Sequence, residues 1–316
     1  MTTYKQLFGK YVQNLSSDPT STDAEGQIWY NTTSGTFKTA LGSYGFWASG
    51  GNLNTARQAL AGAGTATAGL AFGGGTPTKT TATELYNGTS WTSNPTGMNT
   101  ARTSLAGCGT QTAALGFGGY LTPGVSAATE SWNGSTWTSV NSMISANTMA
   151  GVGTQTAALG VVSTTTESWN GTSWTRLPAS LNTPRNSQAM SGTQTAALNF
   201  GGESPITAAT ESWNGSVWTN VNSMNTARTR LAGTGTQTAA LVIGGATSPV
   251  TTVTGVTETW NGTSWTSNPT GLATARSNLA GAGTQTFSIA FGGLTPSVTA
   301  ATEAWTAYAT KTITTS

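Results

Sequence analysis

The sequence predicts an all-β protein built from repeated four-stranded antiparallel sheets. Three observations carry that reading. Three motifs recur in the same order along most of the chain. Apolar residues alternate with a period of two, and no stretch carries a helical stripe of good helix formers. Asn-Gly and Gly-Gly pairs punctuate the alternation at fixed places, where residues tolerant of positive φ turn the chain.

The first motif is Gly-Thr-Gln-Thr, or Gly-Thr-Ala-Thr in its first copy. It begins at Gly64, Gly109, Gly153, Gly192, Gly235 and Gly283, in steps of 39 to 48 residues, the spacing of propeller blades. The second, Glu-x-(Tyr/Trp)-Asn-Gly-x-x-Trp, begins at Glu84, Glu130, Glu167, Glu211 and Glu258; a sixth copy at Glu303 keeps Trp305 alone. The third places Arg57, Arg102, Arg185, Arg228 and Arg276 seven residues before the Gly of the first motif; Ala146 holds that slot in repeat three.

Residues 102–139 show the elements in order. A first strand runs over 102–109, and Gly109-Thr-Gln-Thr112 turns the chain into a second at 113–117. Gly118-Gly119 closes it. A loop leads to a third strand over 127–132, with Glu130 and Trp132 on one face, and Asn133-Gly134 turns into a fourth carrying Trp137. In repeat three, Gly160-Val161-Val162 replaces the Gly pair and the next loop is short, so a narrower blade is expected there.

The Gly pairs (73–74, 118–119, 201–202, 244–245 and 292–293), the third-strand aromatics (Tyr86, Trp132, Trp169, Trp213, Trp260, Trp305) and the fourth-strand tryptophans (Trp91, Trp137, Trp174, Trp218, Trp265) resemble the blade pattern of the kelch family. The resemblance covers about residues 54–315 and implies a β-propeller of six four-stranded blades. The sixth lacks its own fourth strand. Residues 45–48 around Trp47, or residues 310–314, could supply it; an N-terminal strand closing the ring would avoid an open sheet edge. The alternative is a seventh, composite blade from residues 27–49 and the C-terminus. The domain reading is an extension over 1–49, containing a hairpin and the ring-closing strand, and a propeller over 50–316.

Composition narrows the function. Charged residues are 7% of the chain and the net charge is +2, so no basic patch is available for phosphates and nucleic acid is not expected as a partner. With no His and one Cys, the usual general base, the His-based catalytic triads, copper ligands and a Cys-rich zinc site are excluded. No cofactor or metal site is expected, and no apolar run reaches membrane-span length. Residues 1–14 hold no signal-peptide core, so synthesis in a cytoplasm is expected. Twelve tryptophans argue against disorder.

The recurring Arg residues and Glu84, Glu130, Glu167, Glu211, Glu258 and Glu303 read as structural, either as Arg–Glu pairs or with each Arg stacked on a repeat Trp, and Glu167 should lack the partner that Glu130 and Glu211 have. Trp91, Trp132, Trp137, Trp213, Trp218, Trp260 and Trp265 read as structural core. The five Asn-Gly sites match a glycosylation pattern, but the turn explains both residues. Cys108 reads as a small buried filler. Asp18, Asp23 and Glu25 cluster in a polar linker that could touch a cation.

The repeats differ in their loops. Those after the second strand (75–79, 120–125, 203–206, 246–255, 294–298) and between repeats vary, whereas the Gly-Thr-x-Thr and Asn-Gly turns hardly do. In an up-and-down blade the variable loops share one face, the usual construction of a binding surface on a rigid scaffold. Lys79, Tyr120, Leu121, Ile206, Val250 and Leu294 are its candidate contacts. The phrase Glu25-Gly-Gln-Ile-Trp-Tyr-Asn31 and the small-residue repeats resemble bacteriophage tail and fibre proteins, including those of marine phages. That resemblance implies a non-enzymatic virion protein, a tail, fibre or capsid-decoration component made in the host cytoplasm. It would join other virion proteins through residues 1–49 and bind a host-surface glycan or protein through the loop face. A kelch adaptor for another protein and a carbohydrate-binding propeller are the alternatives.

Overall fold

A computed structural model describes residues 12–18, 27–40, 45–146, 150–307 and 310–312. No helix occurs among them, so none is long and apolar enough to cross a membrane. They fall into two compact units: Trp47–Trp305, and a smaller one drawn from Met1–Phe46 and Thr306–Ser316.

The larger unit is a series of four-stranded antiparallel sheets, one per repeat, in a propeller-like arrangement. The sheet of repeat two runs Ala106–Gly109, Ala114–Phe117, Thr129–Trp132 and Trp137–Val140, in sequence order. The first strand is shorter than the sequence suggests. Residues 102–105 stay outside it: Thr103 makes a lone antiparallel bridge to Tyr120, and Ser104 bends the chain at φ 52°. The first strands lie side by side in chain order, Ala61–Gly64, Ala106–Gly109, Ala150–Gly153, Ala189–Gly192, Ala232–Gly235 and Ala280–Gly283, and the last also contacts the first.

Repeat three keeps four strands and is not narrower. Its second, third and fourth strands lengthen to Ala158–Val162, Thr165–Trp169 and Trp174–Ser180. Without a Gly pair and loop, the ladder continues to Val162–Thr165, and Ser163 and Thr164 alone make the turn. In the sheet of repeat six, Phe46–Ser49 takes the fourth place beside Thr302–Thr306. Thr310–Thr312 pairs instead with Thr36–Ala40 of the smaller unit.

That smaller unit is a sheet of Gln13–Leu15, Ile28–Asn31, Thr36–Ala40 and Thr310–Thr312, with its first pair parallel. Asp18 anchors it, accepting from Trp29 Nε1 at 3.2 Å, Asn31 Nδ2 at 2.7 Å and Lys38 Nζ at 2.8 Å. Asp23 and Glu25 lie outside the described residues.

Packing between four pairs of repeats follows one rule. The second-strand aromatic of one repeat lies on the fourth-strand Trp of the next: Phe72 on Trp137 at 4.7 Å, Phe117 on Trp174 at 4.8 Å, Phe200 on Trp265 at 5.0 Å and Phe291 on Trp91 at 4.8 Å between ring centroids. The same ring covers a glycine of the next first strand. A Cβ on Gly107 would stand 2.6 Å from Phe72 Cζ, so only glycine fits. Between repeats three and four both partners change: Val161 replaces the Phe, and Met190 occupies the glycine's slot in the same core cluster. A smaller side chain on one sheet is matched by a larger one on its neighbour, which conserves packed volume.

Polar links repeat as well. The fourth-strand Trp indoles of repeats one to five donate to the third-strand Thr of the preceding repeat, as in Trp137 Nε1 to Thr83 Oγ1 at 2.9 Å and Trp91 Nε1 to Thr302 Oγ1 at 2.9 Å. The Gln of each Gly-Thr-Gln-Thr turn donates to the main-chain carbonyl of the preceding third-strand aromatic: Gln111 to Tyr86 at 2.7 Å, with Gln155, Gln194, Gln237 and Gln285 reaching Trp132, Trp169, Trp213 and Trp260. In repeat one the turn carries Ala66 instead.

Candidate binding face

The repeat charges are buried. Arg57, Arg102, Arg185, Arg228 and Arg276 are at most 1% exposed. They meet Glu84 at 3.2 Å, Glu130 at 2.9 Å, Glu211 at 3.0 Å, Glu258 at 2.6 Å and Glu303 at 3.3 Å. Burial pushes the Arg57 guanidinium down to about 10, against the opposing pull of Glu84. The other four are lowered for the same reason, each raised in part by its own Glu. Arg102 also donates to the carbonyls of Gly118 at 2.8 Å and Ala128 at 2.6 Å, and Arg228 to those of Gly244 at 3.0 Å and Val256 at 2.6 Å.

Each Glu has a second task that the motif alone does not reveal. It accepts from main-chain N–H groups of the segment leading into its own repeat. Asn54 and Thr55 donate to Glu84, Asn99 to Glu130, Asn182 and Thr183 to Glu211, Asn225 and Thr226 to Glu258, and Ala273 and Thr274 to Glu303. Glu167 keeps this clamp through Ile144 at 3.0 Å and Ser145 at 2.9 Å, and makes no ion pair among the described residues. Directly across the ladder from Glu167 stands Arg176, where other repeats carry Ser or Asn. Its guanidinium donates to Ser145 Oγ at 2.6 Å.

One face of the repeat unit is uniform. Asn133 Oδ1 accepts from the N–H groups of Ser135 and Thr136, both at 2.9 Å, with Gly134 at φ 94°. Asn87, Asn170, Asn214 and Asn261 build the same turn. The antiparallel order sends the loops after the second and fourth strands to the opposite face, where they diverge. Three of those loops contain cis X-Pro bonds, at Pro123, Pro205 and Pro249.

On that diverse face, Lys79 and Tyr120 come together across repeats one and two. The ammonium lies 4.8 Å from the ring centroid and donates to Thr122 Oγ1 at 2.7 Å. Tyr120 and Val125 are exposed and Leu121 is half-buried between them in sequence. Ile206, Val250 and Leu294 sit on the corresponding loops of repeats four, five and six; Val250 is exposed and the other two are half-buried. Glu203 accepts from Ser187 Oγ at 2.8 Å and faces Arg230 at 3.6 Å.

The face has a centre. Ala59, Ser104, Ser187, Arg230 and Asn278, each two residues past a repeat Arg, have φ between 51° and 55°. Their main chains link in series: Ser104 N–H to Ala59 O at 2.7 Å, Ala59 N–H to Asn278 O at 2.7 Å, Asn278 N–H to Arg230 O at 2.8 Å and Arg230 N–H to Ser187 O at 2.9 Å. These residues and their successors, Leu60, Leu105, Gln188, Leu231 and Leu279, line a cavity of about 100 Å³. The signal was in the sequence: the third residue after each repeat Arg is Leu except for Gln188.

Among the described residues no three His, Cys, Asp or Glu side chains are grouped to hold a metal ion. Cys108 is buried, and burial pushes its thiol up to about 12. The sequence matches no family model and no curated protein.

Proposed function

We propose that the chain is a kelch-type propeller of six blades, its ring closed by the strand Phe46–Ser49, and that it serves as a non-enzymatic structural or adhesion protein of a bacteriophage particle. The difference between the two faces carries this reading. One face repeats a single turn with the same hydrogen bonds, while the other carries loops of differing length and chemistry on the same rigid frame. The cyclic contacts of the first strands and the placing of Phe46–Ser49 support ring closure. The use of the repeat carboxylates in buried pairs and clamps supports a non-enzymatic role, since glycoside chemistry needs two acids facing one substrate bond. The virion assignment rests on the tail- and fibre-like phrase at 25–31. Attachment would run through residues 1–49, and contact with a host-surface glycan or protein through Lys79, Tyr120, Leu121, Ile206, Val250 and Leu294.

Mass spectrometry of purified particles should find the chain among virion proteins. Replacing 120–125 and 249–254 with Gly-Ser segments should abolish particle attachment while leaving the protein folded. Unchanged attachment would move the contact surface to the uniform face or the N-terminal hairpin.

A further inference from the structure

The larger unit, Trp47–Trp305, carries eight basic and seven acidic residues. Five arginines pair with repeat glutamates, Arg230 faces Glu203 at 3.6 Å, and Arg176 stands across the ladder from Glu167. The cation left over is Lys79, which makes no ion pair among the described residues. Its main chain is fixed. Gly75–Thr76 and Thr78–Lys79 form a short antiparallel ladder, and Thr80 N–H donates to Gly74 O at 2.9 Å. Tyr120 is bridged on both sides, to Thr103 and to Val125. On this frame the Lys79 ammonium stands 4.8 Å from the Tyr120 ring centroid and gives one donor to Thr122 Oγ1 at 2.7 Å. An ammonium has three donors. The Thr122 bond is exposed and Tyr120 is 41% exposed, so a ligand can reach both groups.

We propose that Lys79, Tyr120 and Thr122 form a binding site for the carboxylate of an acidic saccharide. The proposal deepens the diverse-face reading above and rests on it. One cation matches one negative charge, whereas a phosphate monoester carries about −1.5 to −2 and would leave charge uncompensated. The ammonium pairs with the carboxylate, and the exposed part of the Tyr120 ring lies against the C–H groups of the sugar, an apolar body with a wet rim. Thr78 and Thr122 are exposed beside it and offer hydroxyls to those of the sugar. An acidic peptide fits less well. An extended peptide binds by adding to an open strand edge, and the Tyr120 main chain is already bridged on both sides. Lys79 belongs to repeat one, Tyr120 and Thr122 to repeat two, so the site is made by packing the two repeats together.

The test titrates the full-length protein by calorimetry with sialyllactose and with trigalacturonic acid, each against its neutral counterpart, lactose and the trigalacturonate methyl ester. At least one acid should bind saturably, with its neutral counterpart weaker by about tenfold or more. Lys79→Gln should weaken the acid by about tenfold and leave the neutral sugar unchanged. Tyr120→Leu should weaken both. Arg176→Gln, which removes an exposed cation elsewhere, should bind like the wild type. No saturable binding of either acid, equal binding of acid and neutral sugar, or an equal loss in Arg176→Gln would overturn the proposal. So would tighter binding of a capped Gly-Glu-Gly peptide, which would assign the site to an acidic protein segment. Abolished particle attachment in the loop replacements without any sugar binding would overturn this proposal and leave the diverse-face reading standing. Acid-selective binding through Lys79 with attachment unchanged would do the reverse.

Discussion

Repeats two and three share a buried Glu at the same place in the third strand, but not its environment. Glu130 has a buried counter-charge in Arg102 at 2.9 Å. Glu167 is as deeply buried, belongs to the repeat in which Ala146 holds the Arg position of the sequence, and retains the main-chain clamp. The comparison separates two roles that the other repeats merge. The carboxylate fastens the incoming segment to the sheet, and the arginine neutralises the carboxylate. Repeat three shows that the first can persist without the second, with Arg176 supplying positive charge from the exposed strand through Ser145.

The largest expected effects should not distinguish the two repeats. Trp132 and Trp169 are at most 1% exposed, and each donates its indole N–H to the Gln carbonyl of its own repeat, Gln111 at 2.8 Å and Gln155 at 3.0 Å. Trp132→Ala and Trp169→Ala should each lose about 3–5 kcal/mol in urea unfolding. A loss below about 1 kcal/mol in both would mean that the rings face solvent and that the strand register is wrong.

Charge should separate the repeats. Arg102→Ala leaves Glu130 buried and unpaired and should lose about 3–5 kcal/mol. Arg176→Ala, which removes an exposed hydrogen bond, should lose about 1 kcal/mol or less. Equal losses would show that Arg176 already acts as the full counter-charge of Glu167. The double change Arg102→Met with Glu130→Gln should recover much of the loss, because it removes both buried charges together.

Packing gives a smaller contrast at the far side of repeat three. Val161→Phe restores the ring found in repeat two but meets Met190, and should lose about 1–3 kcal/mol from overpacking. Met190→Gly combined with it should recover part of that loss, a coupling readable from a double-mutant cycle. Additive losses would show that the two substitutions arose independently of one another.

Cys108 in repeat two should give the least effect. With its thiol raised from 9.0 to about 12, the thiolate is disfavoured in the folded state. The stability this contributes is full below the unfolded-state value and fades as pH rises from about 9 towards 12. In mildly alkaline buffer the thiol should react with an alkylating reagent only at the rate of unfolding. Fast labelling of the native protein would place Cys108 in an open channel.

The periodic part of the molecule was legible in the sequence because each blade repeats its chemistry. Arg102 and Glu130 could be paired from recurrence, and Trp47 could be placed near the sixth sheet from its distance to Arg57. Relationships that need three dimensions were hidden. The N–H group held by Glu130 comes from Asn99, 31 positions away, and the Val161–Met190 exchange joins two repeats that give no joint signal when aligned singly. The missing Gly pair of repeat three predicts a narrower blade. A two-residue turn instead let its ladder grow, because short connections favour continued pairing. In the sequence Lys79 and Tyr120 stand out only as members of variable loops; their contact arises from adjacent repeats facing one another.

The central claim is that the repeat carboxylate is a main-chain clamp to which arginine is an added counter-charge. Urea unfolding of Glu130→Gln and Glu167→Gln, measured side by side, tests it most directly. Glu130→Gln strands the buried Arg102 and should lose about 3–5 kcal/mol. Glu167→Gln removes a charge that has no buried partner and weakens two N–H contacts, and should lose about 1–2 kcal/mol. Equal losses, or a larger loss for Glu167→Gln, would contradict the account.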